Sequence, residues 1–344
     1  MEPVRPVRPP TLRDVAEKAG VSMMTVSNVI NERTARVSEE TRLRILSAIE
    51  ALGYRPQRSG RGLRLQREYA IGLTLVHPDR RFLDDPYLTE VAAGMSNAVA
   101  DAGYGLMING VADVEALRKS VVRASNVDAL AVMASGRRDV REEVYHLLER
   151  LHHPLAIIQD EASGLADACA FMQDDAGGAR MITEALIAAG AKRLAFAAPR
   201  HDWPAVERRE AGMRAAARRR ARVERIACAE ADFQATITDI LAAFDAGGVP
   251  DAVVGANDQI GIAAIHAANQ RGLRVPEDLM VTGFNAFPFR QFSVPLISSV
   301  SSPAYEIGET VARALLARVE GGRFAEERHV LPVTLAAGAS IRPA

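Results

Sequence analysis

Apolar residues in the first sixty positions recur at helical spacing. Leu12, Val15, Ala16 and Ala19 form one stripe behind Thr11, with Asp14 three residues on as in a capping box and Gly20 as a stop. After a minimal Ala-Gly-Val-Ser turn, Ser22 caps a second helix over 23–31 whose Val26, Val29 and Ile30 face inward. Ser38 caps a third, with Glu39 and Glu40 near its positive end, an apolar stripe of Ile45, Leu46, Ile49 and Leu52, and Gly53 at its end. Three short helices with a tight turn between the first two predict an all-α helix-turn-helix unit over residues 11–57.

From Tyr69 the pattern changes. Ile71–Val76, Leu106–Ile108, Ala129–Met133 and Leu155–Ile158 are continuous apolar runs of the kind buried in parallel sheets, separated by helical patterns near 87–102, 112–124 and 139–152. A second series starts near Phe171, with helix 176–189, strand 193–198, helices 207–222 and 235–246, strand 252–256, helix 259–271 and strand 280–284. This alternation predicts an α/β body of two doubly wound parallel-sheet subdomains. The closing strand–helix–strand pattern returns the chain across both, so 69–171 with 301–328 are expected in the first and 172–300 with 329–342 in the second.

Composition narrows the class. A chain of 344 residues with 48% hydrophobic and 25% charged positions is an ordinary globular protein of more than one domain. No stretch approaches the ~18 apolar residues of a membrane helix, so no membrane partner is expected. Residues 1–10, MEPVRPVRPP, lack the apolar run of a secretory signal and are expected to form a disordered basic arm on a cytoplasmic protein. Cys169 and Cys228 are too few and too far apart for a disulfide framework or a zinc site and are expected to be reduced and structural. Charge is uneven: residues 1–68 hold 13 Lys+Arg against 8 Asp+Glu, a net of +5, while 69–344 hold 29 against 35, a net of −6. A basic end on an acidic body suits a protein that meets a polyanion with one end only.

Helix-turn-helix units set the start of their second helix at base edges in the major groove. Met23, Met24 and Asn28 are therefore the candidate base readers, the methionines through apolar contact and Asn28 through a bidentate amide. Thr11, Ser22, Thr25, Ser27, Asn31, Ser38 and Thr41 are candidates for phosphate contacts, several of them helix caps as well. In the body, ligands of open α/β sheets lie beyond the carboxyl ends of the strands. The loops there offer Asp85, Pro86 and Tyr87, Ser135, Trp203 to Arg209, Asn257 with Asp258, and Asn285, groups suited to a polar, hydroxyl-rich small molecule. There is no dinucleotide fingerprint, no P-loop and no metal spacing among the seven histidines, and no Ser–His–Asp or paired-carboxylate arrangement stands out. No cofactor, no metal and no catalytic residue are expected. A transport-type sugar-binding protein or a sugar-modifying enzyme could share such a body. The first would carry a signal peptide and no helix-turn-helix, and the second would need convergent catalytic groups.

The runs TLRDVAEKAGVSMMTVSNVIN and VSEETRLRILSAIEALGYRP resemble the DNA-binding headpiece of the lac repressor and galactose repressor family of bacterial transcription regulators. DPYLTEVAAGMSNAVADAGY, ERREAGM, GANDQIGIAA, LRVPEDLMVTGFN and SSPAYEIGETVARALL are similar to landmarks of that family's effector domain, so the resemblance covers nearly all of the chain after residue 10. It implies a periplasmic-binding-protein-like effector domain, operator DNA as partner, and residues 58–68 as a hinge that inserts Leu63 into the minor groove. It also implies effector contacts at Tyr87, Leu88, Trp203, Arg209, Phe233, Asn257 and Asn285. Asn285 stands where most members have an aspartate, and Gly60 and Gly62 where family hinges carry alanines. No leucine heptad follows the last helix up to Ala344, so a homodimer on a palindromic operator is expected.

Overall fold

A computed structural model of the protein describes residues 10–30, 37–54, 67–79, 81–124, 126–229 and 232–343. The chain divides into two compact units between Glu68 and Tyr69. The first holds α1 (Leu12–Ala19), α2 (Met23–Ile30) and α3 (Glu39–Leu52). Each begins where local chemistry says it should. The Thr11 hydroxyl accepts from the Asp14 N–H at 3.4 Å while the Asp14 carboxylate accepts from the Thr11 N–H at 2.6 Å, a complete capping box. Ser22 and Ser38 accept from the N–H groups of Thr25 and Thr41 at 3.1 and 3.3 Å. Gly20 and Gly53 close α1 and α3 in the left-handed conformation at φ +64° and +61°.

Val15, Ala16, Ala19, Val26, Val29, Ile45, Ala48 and Tyr54 make the core of this unit. The buried stripe of α3 runs through Ile45 and Ala48, and Leu46, expected inside, is exposed. On so short a helix a rotation of one position is enough to exchange a leucine for an alanine at the seam. Asn31, Leu63 and the basic arm over residues 1–9 lie outside the described residues.

The second unit contains two parallel sheets. Strands β1 (Ala70–Val76), β2 (Gly105–Val111), β3 (Ala129–Ala134), β4 (Leu155–Ile158) and β5 (Ala168–Gln173) join β11 (Arg328–Leu331) in the order β11-β5-β4-β3-β1-β2. Helices α4 (Pro86–Asp101), α5 (Val114–Ala124), α6 (Arg138–Glu149) and α11 (Ala304–Val319) belong to this lobe, α4 and α11 packing along each other. The other sheet runs β7 (Arg222–Cys228), β6 (Arg193–Pro199), β8 (Ala252–Gly255) and β9 (Met280–Thr282). With it lie α7 (Asp175–Ala188), α8 (Pro204–Ala217), α9 (Phe233–Gly247) and α10 (Asp258–Gln270). Strands β10 (Ser299–Ser301) and β12 (Thr334–Ala336) pair antiparallel beside it.

Three details differ from the sequence expectation. Helix α8 stops at Ala217 and not at the expected residue 222, and RVERIAC, where no strand is expected, is the edge strand β7. An edge strand tolerates outward arginine and glutamate, so its alternation is masked by the arginine-rich run before it. Strand β11 pairs with β5 in the first sheet, so the chain leaves that lobe after Leu331 and not after residue 328. Strand β5 continues to Gln173, past the expected boundary at 171. Both cysteines are free and buried, and burial pushes the Cys169 thiol up to about 11 and the Cys228 thiol up to about 12. No described helix is long and apolar enough to cross a membrane.

The chain passes between the lobes in three places, and these are tied together. Gln173, at the end of β5, donates to the Asp175 carboxylate at 2.9 Å and accepts from the Ser302 hydroxyl at 2.6 Å, and the Asp174 N–H donates to the Leu331 carbonyl at 3.0 Å. One polar cluster thus joins all three passages and leads directly to the interlobe cleft.

Candidate functional site

On the first unit, α2 turns a small adaptable face to solvent. Met23 and Met24 are 53% and 73% exposed, large apolar side chains left outside a core that already closes over Val26 and Val29. Ser22, Thr25, Ser27 and Asn28 share this helix and its N-terminal end, while Thr11, Ser38 and Thr41 stand at the starts of α1 and α3. The Ser22 hydroxyl lies 2.9 Å from that of Thr25, and Ser38 donates to Thr41 at 2.9 Å. These hydroxyls are caps first, and the helix N-termini they mark are where backbone N–H groups meet anions.

In the second unit, the carboxyl ends of β1, β4, β6 and β8 open on a cleft. Asp85 caps α4, accepting from the Tyr87 N–H at 2.9 Å, and Pro86 occupies the first helical position, so the entry of α4 is fixed. Asn257 caps α10 by accepting from the Ile260 N–H at 2.9 Å. Behind it, the buried Asp258 accepts from the Ser299 hydroxyl at 2.5 Å and the Phe287 N–H at 3.1 Å, clamping the turn after β9 to α10. Burial pushes the Asp258 carboxyl up to about 6. The clamp holds Asn285 at φ +98°, a left-handed conformation that asparagine tolerates better than most residues.

Arg209, from α8, is the centre of the cluster. It is 4% exposed and donates to Asp175 at 2.9 Å, to the Ala256 carbonyl at 2.5 Å and to Asn285 Oδ1 at 3.2 Å, with its guanidinium 3.8 Å over the Phe284 ring. Arg208 also binds Asp175, at 2.9 Å, and reaches across the cleft to the Gln159 carbonyl at 2.9 Å. Two spaces adjoin this cluster. A small cavity of about 40 Å³ is lined by Tyr87, Trp203, Arg209, Asn257 and Asn285, with Asp85 and Gln159 from the first lobe. A larger one of about 530 Å³ shares Asp85 and Trp203 and extends past His77, Phe82, Arg200 and His201.

Five of the seven expected effector contacts therefore come together at one place. The other two do not. Leu88 is fully buried in the core beneath α4, because the residue after Tyr87 faces the opposite side of the helix. Phe233, at the start of α9, sets its ring edge-on to His266 at 5.3 Å and does not line either cavity. Conversely, His77, Gln159 and His201 lie outside the expected contacts, although His77 and Gln159 directly follow β1 and β4, His201 comes two residues after β6, and the carboxyl-end rule reaches all three.

His77 and His201 join the lobes. The His77 ring stacks on Trp203 with centroids 5.0 Å apart and meets His201 at 5.2 Å. His77 Nδ1 accepts from the Asp79 N–H at 3.1 Å. The Ser135 hydroxyl spends its proton on the Val76 carbonyl at 3.0 Å, so His201 Nε2, 2.8 Å away, is the donor to Ser135. Accepting at Nδ1 makes the His77 ring neutral, and burial holds both rings below the ordinary histidine pKa, with the neighbouring His201 adding to the effect on His77. Asp79 and Asp202 pull the other way without reversing the shift.

The bridged form thus binds fewer protons than an opened or unfolded chain. Its histidine contribution is complete above pH ~6.5 and declines as pH falls below that value. Asp258, raised, acts in the opposite sense between pH 6 and 4, so the diagnostic is a difference. Trp203 is the only tryptophan. Its emission is expected to change as pH falls from 7 to 5, and His77→Gln is expected to flatten that change. An identical profile in the variant would exclude His77 as its source.

A helix-turn-helix unit followed by a two-lobed α/β unit with a polar cleft defines a DNA-binding regulator with a small-molecule domain. Residues 11–57 match the bacterial regulatory proteins of the lacI family, and residues 183–341 match the periplasmic binding protein-like domain. The chain is 28% identical over 338 residues to the ribose operon repressor of Bacillus subtilis (strain 168), covering 94% of this chain and 96% of that one. A solved complex of the transcriptional regulator CelR with cellobiose superposes with a TM-score of 0.69 at 26% identity, covering 96% of this chain and 99% of the other. A lac repressor dimer bound to operator and the anti-inducer ONPF gives a TM-score of 0.84 at 24% identity, covering 97% and 99%, and shares the fold. The chain thus joins the DNA-binding domain of the lacI family of bacterial regulatory proteins to a periplasmic binding protein-like domain, as its relatives among the lacI-family repressors do. It is a transcription regulator and not an enzyme.

Proposed function

We propose that this regulator is a cytoplasmic repressor that binds a palindromic operator as a homodimer and answers to a small hydroxylated metabolite held between its lobes. The observation that carries the reading is α2, the second helix of a helix-turn-helix, which leaves Met23 and Met24 exposed at its start and carries Asn28 one turn beyond Met24. Thr11, Ser22, Thr25, Ser27, Ser38 and Thr41 are the phosphate contacts in this reading. Asn31 keeps its expected phosphate contact, and Leu63 the minor-groove role that the family resemblance implies. Twofold symmetry matches half-sites about one helical turn apart. The cleft supports an effector because Tyr87, Trp203, Arg209, Asn257 and Asn285 converge there, and the CelR relative holds cellobiose.

An effector shifts DNA occupancy only by its differential affinity for two arrangements of the lobes, so an inducer favours the arrangement that does not bind DNA. Selection of duplexes from a random pool at fixed salt is expected to return a palindromic consensus. Asn28→Ala is expected to relax preference at the base it reads by about 1–3 kcal/mol while effector affinity stays unchanged. Salt-sensitive binding without a consensus would overturn the operator reading, and an unaltered consensus in the variant would remove Asn28 from it.

A further inference from the structure

We propose that the effector is a hydroxylated carboxylate, a sugar acid in chemical class, whose carboxylate sits in the small cavity between Tyr87, Arg209, Asn257 and Asn285. This rests on the cleft being the effector site. It goes further, because the hydrogen-bond inventory of that cavity fixes the polarity of the group it receives.

The orientation of both amides follows from bonds already made. Asn285 Oδ1 accepts from Arg209, and Asn257 Oδ1 accepts from the Ile260 N–H, so each turns its NH₂ toward the space that remains. Arg209 spends one N–H from each of its three nitrogens on protein acceptors and keeps two. Tyr87 is 4% exposed, and its hydroxyl, with the Gln159 side chain beside it, makes no hydrogen bond of normal geometry. A buried polar group left unpaired costs free energy until something pairs with it. The cavity is thus rich in unspent donors, and Asp85 is the one carboxyl on its wall.

Charge points the same way. Arg208 and Arg209 share the single carboxylate of Asp175, so the two arginines carry one more charge than their common ion-pair partner. An aspartate at 285 would cancel that charge, and this chain has asparagine there. Burial pushes the Asp85 carboxyl up, against the pull of the Arg209 charge and of the Tyr87 N–H. Size completes the assignment. About 40 Å³ admits a head group of a few atoms and not a ring, while the adjoining 530 Å³ accommodates the hydroxylated remainder against Trp203.

The test uses the full chain and matched probes, gluconate, glucuronate and galacturonate against glucose and galactose, titrated at fixed ionic strength by calorimetry and Trp203 fluorescence. At least one acid is expected to bind about tenfold or more tightly than its neutral partner, as charge-assisted hydrogen bonds require. Asn285→Asp is expected to lower acid affinity about tenfold or more and to spare any neutral-sugar binding. Tyr87→Phe removes only an unpaired hydroxyl, so it keeps the fold and is expected to weaken the acid several-fold. A neutral sugar binding as tightly as its acid, with Asn285→Asp indifferent to charge, would overturn the carboxylate assignment and leave the effector site standing. Ligand binding that ignores both Asn285→Asp and Tyr87→Phe, or no binding by any probe, would overturn the assignment to this cavity.

Discussion

Arg209→Ala is expected to destabilise the effector unit by about 3–5 kcal/mol and to abolish the effector response. The magnitude follows from what the arginine leaves behind. Asp175 has no exposed side-chain surface, and its partners are Arg209, Arg208 and Gln173. Removing Arg209 strips one oxygen of its charged donor, and it also frees the Ala256 carbonyl and Asn285 Oδ1, both inside the protein. Arg209→Lys is not a rescue, because one ammonium cannot reproduce three diverging N–H bonds and the contact with Phe284. Asp175 keeps Arg208 as its ion-pair partner in Arg209→Ala, so Asp175→Asn in that background is expected to add a further loss, and a double-mutant cycle reads the coupling. Urea unfolding followed by Trp203 reports on this unit alone, since no tryptophan lies in the first. A loss below about 1 kcal/mol with an intact response would remove Arg209 from the centre of the site.

The strength of that cluster explains which parts of the molecule sequence reasoning reaches. Thr11, Ser22 and Ser38 were readable as caps because a cap is satisfied by an N–H three residues away. Strands β1, β3 and β4 were readable because burial on both faces demands unbroken apolar runs. Strand β7 was not, since an edge strand carrying Arg222, Glu224 and Arg225 has the composition of a solvated helix. The pairing of β11 with β5 spans more than 150 residues and leaves no local mark.

The site divides in the same way. Arg209, Asn257 and Asn285 were found through strand ends and family likeness, and those cues say where a side chain starts. They do not say what it touches. Phe233 begins at the expected place and turns to His266. Asp175 reads as a helix-start acid, and its role appears only once α8 packs on α7 and brings two arginines to it. The His77–Trp203 stack depends on how the two lobes meet, which neither periodicity nor spacing encodes.

Gly308→Ala carries the other large expected effect, a loss of about 3 kcal/mol or more, and its sign is the informative part. On an exposed helix the same change would stabilise by about 1 kcal/mol through helix propensity alone. Here a Cβ on Gly308 would lie 2.1 Å from the Val91 carbonyl oxygen, and one on Gly94 would lie 2.1 Å from that of Tyr305. The two glycines face each other's helices, letting the backbones of α4 and α11 touch, and Asn97 ties the contact by donating to the Tyr305 hydroxyl at 2.9 Å. A backbone oxygen cannot swing aside as a side chain would, so the helices must separate. Helix α4 begins at Pro86 and carries Tyr87 into the cleft, so separation also displaces Asp85 and Tyr87 from the small cavity. Gly308→Ala is therefore expected to weaken effector affinity although residue 308 lines neither cavity. Urea midpoints and effector titrations of the full-length variant check both consequences. A stabilised protein with unchanged affinity would show that the helices do not approach this closely, and that α4 does not depend on α11 to hold Tyr87 in place.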